Sequence, residues 1–387
     1  MTEYRASGMQ ATEERDLRQA SRRTKDIRVT AVSAQGLLTP GFRVRVMLLR
    51  HELKRHGVHV EPCPLLSDED QAAFYGAPLA RRVSTVLAAR RRALARLRGA
   101  ESSVAFIQRQ ADFLPSLRLE RVACEGRRLV WDVDDAVWHD AWGAGGHRLA
   151  FLKGTRRKVR WLAARADVVL AANRILAEFL GQYTDRVVVV PSVVETRDLP
   201  VRKHEDSREL VLGWAGSPAT AHYLEPLRAL LPRIAAALPD HRLHLLVVGG
   251  KLSAIRGVVT ECRPWSTEAE HAALARIDVG LMPLPDNKWT RGKSAYKAVQ
   301  YMAAGIPVVS DDVGVARESI GHENAGLIVN GEDEWTEAIV DLVRDVSLRS
   351  RLGDAGRRRA EERFSVTRWA PVVASLLRGE AGSIGVE

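Results

Sequence analysis

The chain has 387 residues, 46% of them apolar and 27% charged, which suits two or three soluble globular domains and excludes global disorder and a disulfide-stapled miniprotein. Its 58 basic and 48 acidic residues leave a formal charge of +10, which fits nucleic acid, an anionic membrane surface or an anionic small substrate as partner. Three scattered cysteines, Cys63, Cys124 and Cys262, lack metal-ligand spacing and suit a reducing compartment, and no run reaches the ~18 apolar residues of a membrane helix.

In chain order, residues 1–26 are polar and alternate in charge, with no apolar core, so they read as a disordered lead rather than a signal peptide. Met9 is a second candidate start. Residues 27–34 are apolar and β-branched, a strand; a glycine-containing turn follows at 35–41. Val46, Leu49 and Leu53 set a helical period over 44–56, ending before Gly57, and 58–61 is a strand again. This is the opening of a βαβ unit. An arginine-rich helix is expected over 74–98, with Gly76 and Pro78 near its start. Strands at 104–108, 128–132, 168–171 and 187–190 then alternate with helices at 113–124 and 149–164. We take 27–200 as an N-terminal Rossmann-like domain and the charged, apolar-poor 201–209 as a linker. A second series occupies 210–365. Its strands are at 210–214, 243–248, 279–284 and 307–310. Its helices are at 224–238, 267–275, 294–304, 334–346 and 348–364. Residues 366–387 are read as a helix returning toward the first domain, then a frayed tail. The class is α/β, with ligands expected at the carboxyl ends of the strands.

Four constellations carry chemistry. The densest is WTRGKSAYKAVQYMAAGIPVVSDD, residues 289–312. A helix expected to start near Lys293 or Ser294 has Arg291, Gly292, Lys293 and Lys297 around its N-terminus, where free N–H groups and cations bind anions. Gln300 lies three beyond Lys297 and offers a donor and an acceptor to sugar hydroxyls. The bland alternative is a solvated amphipathic helix. The second is GWAGSPAT, residues 213–220, where Gly216 permits close backbone approach and Ser217 and Thr220 offer hydroxyls to a phosphate, or merely cap a helix. The third is WDVDDAVW, in which Asp132, Asp134 and Asp135 crowd a strand end. They hydrogen-bond a substrate's hydroxyls or cap the strand, and no histidine supports a metal there. Trp131, Trp138 and Trp142 stack on a sugar or fill core. The fourth is GLLTPGFR, residues 36–43, whose Gly41 and Arg43 offer backbone N–H groups and a guanidinium to a phosphate. It is not a GxGxxG fingerprint, and no Walker A loop exists. Arg109 ends another first-domain strand and either lines the same cleft or pairs with an aspartate of the WDVDD run. No Ser-His-Asp or Cys-His set emerges.

On GWAGSPAT, DVGLMPLP, GKSAYKAVQYMAAGIPVV, the following SDDVGVARE and Glu334-Trp335, the second half resembles the retaining GT-B glycosyltransferases of the GT4 type. WDVDDAVW and VVVVPSVVE, residues 187–195, resemble the first domain of that family less specifically. The resemblance implies a GT-B fold, two Rossmann-like domains facing across a cleft. It implies transfer of a sugar from a nucleotide diphosphate sugar to a hydroxyl acceptor with retention, the acceptor being a small molecule, a glycan or lipid-linked. Donor binding would fall on the C-terminal domain, including Gly314, and acceptor binding mostly on the N-terminal one. The family's two glutamates, eight apart, fall on Gly292 and Gln300, so the chain resembles a divergent subgroup of that family. The family's arginine and lysine for the diphosphate are missing near Gly216, and Ser217, Thr220, Arg291, Lys293 and Lys297 take over. Lys293, Asp134, Asp135 and Arg109 are the expected catalytic positions. No metal and no cofactor is expected beyond the nucleotide sugar, and the chain is expected to be a cytoplasmic monomer or homodimer that binds no nucleic acid. Arginines across 81–98 offer contact with an anionic membrane at its inner face, although a solvated helix is the preferred reading. A GT-B epimerase or phosphorylase, a noncatalytic nucleotide-sugar-binding protein and a nucleic-acid-binding protein are the competing readings.

Overall fold

The computed structural model describes residues 26–139, 154–322 and 324–380. The expected polar lead through residue 25, Trp142, the start of the 149–164 helix and residues 381–387 lie outside these. Among the described residues, strands assemble into two parallel six-stranded sheets. The first contains β1 Ile27–Ser33, β2 Val58–Pro64, β3 Val104–Gln108, β4 Arg128–Val133, β5 Val168–Ala171 and β6 Val187–Val189, in the order β2-β1-β3-β4-β5-β6. The second contains β7 Glu209–Ala215, β8 Arg242–Val248, β9 Val258–Arg263, β10 Val279–Met282, β11 Val308–Asp311 and β12 Gly326–Val329, in the order β12-β11-β10-β7-β8-β9. Inner strands such as β3 (VAFIQ) and β10 (VGLM) are buried at every position, as continuous apolar runs covered on both faces must be. The chain divides into two compact units, one within Met1–Trp131, Arg165–Val168 and Ala370–Glu387, the other within Asp132–Ala164 and Val169–Trp369.

Topology locates the sites. In the second sheet the chain runs outward from β7 through β8 to β9, then crosses to β10 on the other side of β7. The order reverses between β7 and β10. Loops leaving two such strands diverge and open a crevice at their carboxyl ends, where α/β proteins bind ligands. In the first sheet the reversal falls between β1 and β3.

Several expected boundaries move for local reasons. The 74–98 helix is two helices, Asp68–Gly76 and Leu79–Gly99, because Pro78 precedes the second and Ser67 caps the first, its Oγ accepting the Asp70 N–H at 3.0 Å. The helix expected from residue 113 begins only at Arg118 and runs to Cys124; Asp112 Oδ1 accepts the Leu114 N–H at 3.0 Å and turns the chain before Pro115. Helical structure after β1 starts earlier than expected, at Pro40, and passes through a π-helical stretch, Arg43–Met47, before the helix Leu48–Arg55. Helix Arg174–Gly181, capped by Asn173 Oδ1 on the Leu176 N–H at 2.9 Å, and strands β9 and β12 were not expected. Trp131 is fully buried and donates Nε1–H to the Arg109 carbonyl at 2.8 Å, while Trp138 stacks on Phe179 at 3.8 Å; both fill core.

Candidate active site

The site builds from the end of β7. Trp214 and Ala215 close the strand, and Gly216 donates its N–H to the Val248 carbonyl at 3.0 Å, which ties the loop to the end of β8. A Cβ on Gly216 would lie 2.5 Å from the Trp214 indole and 2.8 Å from Lys297 Cε, so only glycine lets these side chains close over the backbone. Gly249 takes φ +80°, with the Gly216 carbonyl 1.9 Å from where its Cβ would be. Ser217 precedes a 3-10 turn, Pro218–Leu224, and the Thr220 hydroxyl donates to the Ser217 carbonyl at 3.1 Å. Both hydroxyls therefore sit together at the carboxyl end of the central strand.

The segment after β10 brings the cations to the same place. Asn287 and Thr290 fold residues 285–290 into a tight turn, with Asn287 Oδ1 accepting the Trp289 and Thr290 N–H groups at 2.9 and 3.0 Å. A 3-10 turn, Thr290–Gly292, follows, and the helix begins at Tyr296, later than the Lys293 or Ser294 expected from the sequence. The cause is Ala295, whose φ of 51° is left-handed and breaks the helical path just before it starts. The helix Tyr296–Ala303 has no side-chain N-cap, so its first-turn N–H groups depend on partners outside the helix. Lys297 lies in that first turn, and Lys293 sits just outside it.

Lys297 Nζ lies 5.1 Å from the Trp214 ring centroid, and Lys293 Nζ lies 5.4 Å from that of Trp289. Lys293 Nζ is also 3.7 Å from Asp135 Oδ1. Burial beside the neighbouring Lys293 charge pushes the Lys297 ammonium down to about 8, while Asp135 and Glu270 act in the opposite sense. Gly292 is buried; its Cβ would meet Ala136 at 2.6 Å, and its carbonyl accepts the Asn173 side-chain amide at 3.0 Å. These contacts fix the turn that aims Lys293 at Asp135.

Gln300, on the next turn, is buried and donates Nε2–H to Glu270 Oε1 at 2.8 Å. Glu270 belongs to helix Thr267–Leu274 and accepts the Trp265 indole N–H on Oε2 at 2.9 Å. Tyr301 reaches under the loop: its hydroxyl donates to the Gly213 carbonyl at 3.3 Å and accepts the Ala215 N–H at 3.1 Å. Its phenol is pushed up by burial and stays neutral. Asp311, ending β11, accepts the Trp335 indole N–H and the Leu284 N–H, both at 2.8 Å, and pins the loop after β10.

The structure thus brings Asp135, Gly216, Lys293, Lys297 and Gln300 together with Ser217 and Thr220 at the reversal between β7 and β10. Asp134 adjoins Asp135 and is buried. Arg291 points elsewhere: it is exposed, and its guanidinium holds Asp286 bidentately at 2.6 and 2.8 Å. Gly314, at φ +64°, packs on the Arg291 backbone. In the first unit, Gly41 and Arg43 follow β1, and Arg109, at φ 57°, follows β3, so all three lie at that sheet's reversal. The N–H groups of Gly36 and Leu38 are taken by Gln71 Oε1 at 2.9 Å and Asp68 Oδ1 at 3.1 Å. Glu270 escaped the sequence reading. Its signal was an acid in the first turn of an expected helix, thirty residues from Gln300. Among the described residues no group of histidine, cysteine and carboxylate side chains has the geometry to hold a metal ion.

A family model described as "Glycosyl transferases group 1" matches residues 210–345. That stretch is a group 1 glycosyl transferase domain. It holds Gly216, Ser217, Thr220, Lys293, Lys297 and Gln300, while Asp134 and Asp135 lie before it. Over 254 residues the chain is 28% identical to the D-inositol 3-phosphate glycosyltransferase of Nocardia farcinica, covering 58% of this chain and 54% of that protein. The chain spans about half the length of the curated relatives it matches. Among solved structures it is similar to sucrose-phosphate synthase from Thermosynechococcus elongatus, with TM-score 0.67 and 15% identity over 92% of this chain and 99% of that one. It is also similar to Anabaena HepE in complex with UDP-glucose, with TM-score 0.59 and 15% identity over 91% and 100%. At these identities the likeness is one of fold, and the fold is the α/β GT-B class expected from the sequence.

Proposed function

We propose that the protein is a retaining glycosyltransferase that moves a sugar from a nucleotide diphosphate sugar to an acceptor hydroxyl. The observation that carries this reading is buried Lys297 over Gly216, with the Lys293 charge beside it, at the β7/β10 reversal and the first turn of helix Tyr296–Ala303. Two ammonium groups, two hydroxyls and a helix N-terminus suit a diphosphate. The family match and the UDP-glucose bound by HepE support a nucleotide-sugar donor. In this reading the anomeric carbon–phosphate oxygen bond breaks while Lys293 and Lys297 stabilise the charge growing on the leaving diphosphate. The acceptor oxygen attacks from the face the diphosphate leaves, so configuration is kept, and its proton passes to the leaving phosphate oxygen. Asp135, held by Lys293, and Asp134 orient the sugar. Gly41, Arg43 and Arg109 are the first unit's candidate positions, with residues 27–200 as acceptor domain and 210–365 as donor domain. No cofactor beyond the donor is invoked.

Exposed Leu79, Val83 and Leu87, at four-residue spacing on a helix that also exposes Arg91 and Arg98, favour peripheral contact with an anionic membrane and a lipid-linked acceptor. No helix among the described residues is long and apolar enough to cross a membrane. The test is a panel of nucleotide sugars with hydroxyl acceptors, the product's anomeric configuration read by NMR. A product that keeps the donor's configuration supports the reading. An inverted product refutes retention, and interconversion of donors without acceptor points to an epimerase.

A further inference from the structure

We propose that Asn173 is a positioning residue for Lys293, and that it acts on turnover only through that lysine. This inference rests on the role given to Lys293 above. Asn173 follows β5 and precedes helix Arg174–Gly181; it is 5% exposed and lies in the same compact unit as the lysine turn. Its Nδ2 donates to the Gly292 carbonyl at 3.0 Å and to the Lys293 carbonyl at 3.2 Å. Its Oδ1 accepts the Leu176 N–H at 2.9 Å. A backbone N–H only donates and a carbonyl only accepts, so these three partners leave the amide one orientation.

Those bonds complete the backbone around the lysine. The N–H groups of Gly292 and Lys293 are satisfied inside the loop, by the Trp289 and Thr290 carbonyls, each at 3.1 Å. The carbonyls of the same two residues go to Asn173. The peptide planes on either side of the Lys293 Cα are therefore both tethered, and together they set the direction of its Cα–Cβ bond. The tether also reaches the carboxylate opposite. Ala172, next to Asn173, donates its N–H to the Val133 carbonyl at 2.9 Å, two residues before Asp135. One short segment, residues 172–173, thus holds both the strand end that leads to Asp135 and the turn that carries Lys293, whose Nζ lies 3.7 Å from Asp135 Oδ1. The turn needs this outside hold, because the left-handed Ala295, at φ 51°, follows it before the helix begins. Misplacing a group that stabilises the transition state by about 1 Å costs on the order of 100-fold in rate.

The experiment measures sugar transfer by Asn173→Asp and Asn173→Ser, each alone and combined with Lys293→Ala, together with the unfolding midpoint of every variant. Aspartate keeps the helix cap but cannot donate, and serine keeps the cap on a shorter side chain, so both remove the tether and leave the helix capped. With Lys293 present, each should lower kcat by about 10- to 100-fold, with donor KM raised less than about threefold and the midpoint nearly unchanged. In the Lys293→Ala background the same substitutions should cost less than about threefold more, because the group they position is gone. A merely structural Asn173 would cost the same factor in both backgrounds. Arg174→Ala is the control: its guanidinium pairs with exposed Glu318 at 2.8 Å, and its loss should leave kcat within about threefold of wild type. Wild-type turnover in both Asn173 variants, equal losses in the two backgrounds, or a kcat that only follows a lowered midpoint overturns the proposal and leaves the glycosyltransferase reading standing. A wild type that transfers sugar from no donor overturns that reading, and this inference with it.

Discussion

Lys297 gives the sharpest quantitative handle on the site. Its ammonium is held at about 8 by burial and by Lys293, against an ordinary lysine value of 10.5. Asp135 and Glu270 offset this in part, and the Trp214 ring lies against it. A diphosphate bound beside it restores the charged form. Binding therefore takes up a proton: about half a proton per ligand at pH 8, and more as pH rises toward 9. If the bound value returns to the ordinary one, affinity falls roughly 30-fold between pH 7 and pH 9.5. The ligand's own last phosphate ionisation, near 6, is complete below that range. The sign for stability of the unliganded protein is opposite. The folded value lies below the unfolded one, so the charged form carries a penalty that is full below about pH 8. That penalty fades as pH climbs toward the ordinary lysine value, and stability should rise over this window. Calorimetry of nucleoside diphosphate binding at pH 8 in buffers of different ionisation enthalpy reads the uptake directly. Lys297→Met should abolish it and flatten the pH profile. Equal uptake in wild type and Lys297→Met, or a wild-type affinity constant from pH 7 to 9.5, would refute the assignment of Lys297 to the anion.

Three further outcomes are expected. Lys293→Ala should cut kcat by about 10²- to 10³-fold with the unfolding midpoint nearly unchanged, whereas Arg291→Ala, whose guanidinium already serves Asp286, should cost less than about tenfold; equal losses in the two variants would contradict the geometry. Gly249→Ala should destabilise the protein by at least about 3 kcal/mol in chemical denaturation, since its Cβ would collide with the Gly216 carbonyl at a left-handed φ, and a change below about 1 kcal/mol would mean that the β7 and β8 ends are not held as described. Replacing Leu79, Val83 and Leu87 together by serine should reduce co-sedimentation with anionic phosphatidylglycerol vesicles at least about tenfold without lowering the unfolding midpoint; unchanged sedimentation would remove that helix from membrane contact.

The alternation of strands and helices was legible because buried parallel strands are continuous apolar runs, as in β3 and β10, and the helices between them carry a clear period. Edge strands were harder: β9 (VVTECR) is mostly half-exposed and charged, and β12 has four residues. Helix Arg174–Gly181 was short, although Asn173 offered a capping signal ahead of Ile175, Leu176, Phe179 and Leu180. In the site, glycine and lysine placement could be read from GWAGSPAT and RGKSAYK, since close approach and anion binding need those residue types. The left-handed Ala295 that delays the helix could not, because alanine carries no signature of positive φ. Nor could the fate of Arg291, which depends on a turn that carries Asp286 back onto it. Glu270 was hidden for a third reason: its partner is remote in sequence, and only the folded sheet brings the helices together.

In the proposed function, the β7/β10 reversal binds the diphosphate of a sugar donor. The most direct test is the thermal unfolding midpoint of the full chain with UDP-, GDP- and ADP-sugars in turn, for wild type and for Lys293→Ala/Lys297→Met. Ligand at about 100 times its Kd stabilises by about 2.7 kcal/mol, enough to raise the midpoint by a few degrees. Such a rise is expected with at least one donor in wild type, and its loss in the double variant. No rise with any donor, or the same rise in both proteins, would contradict it.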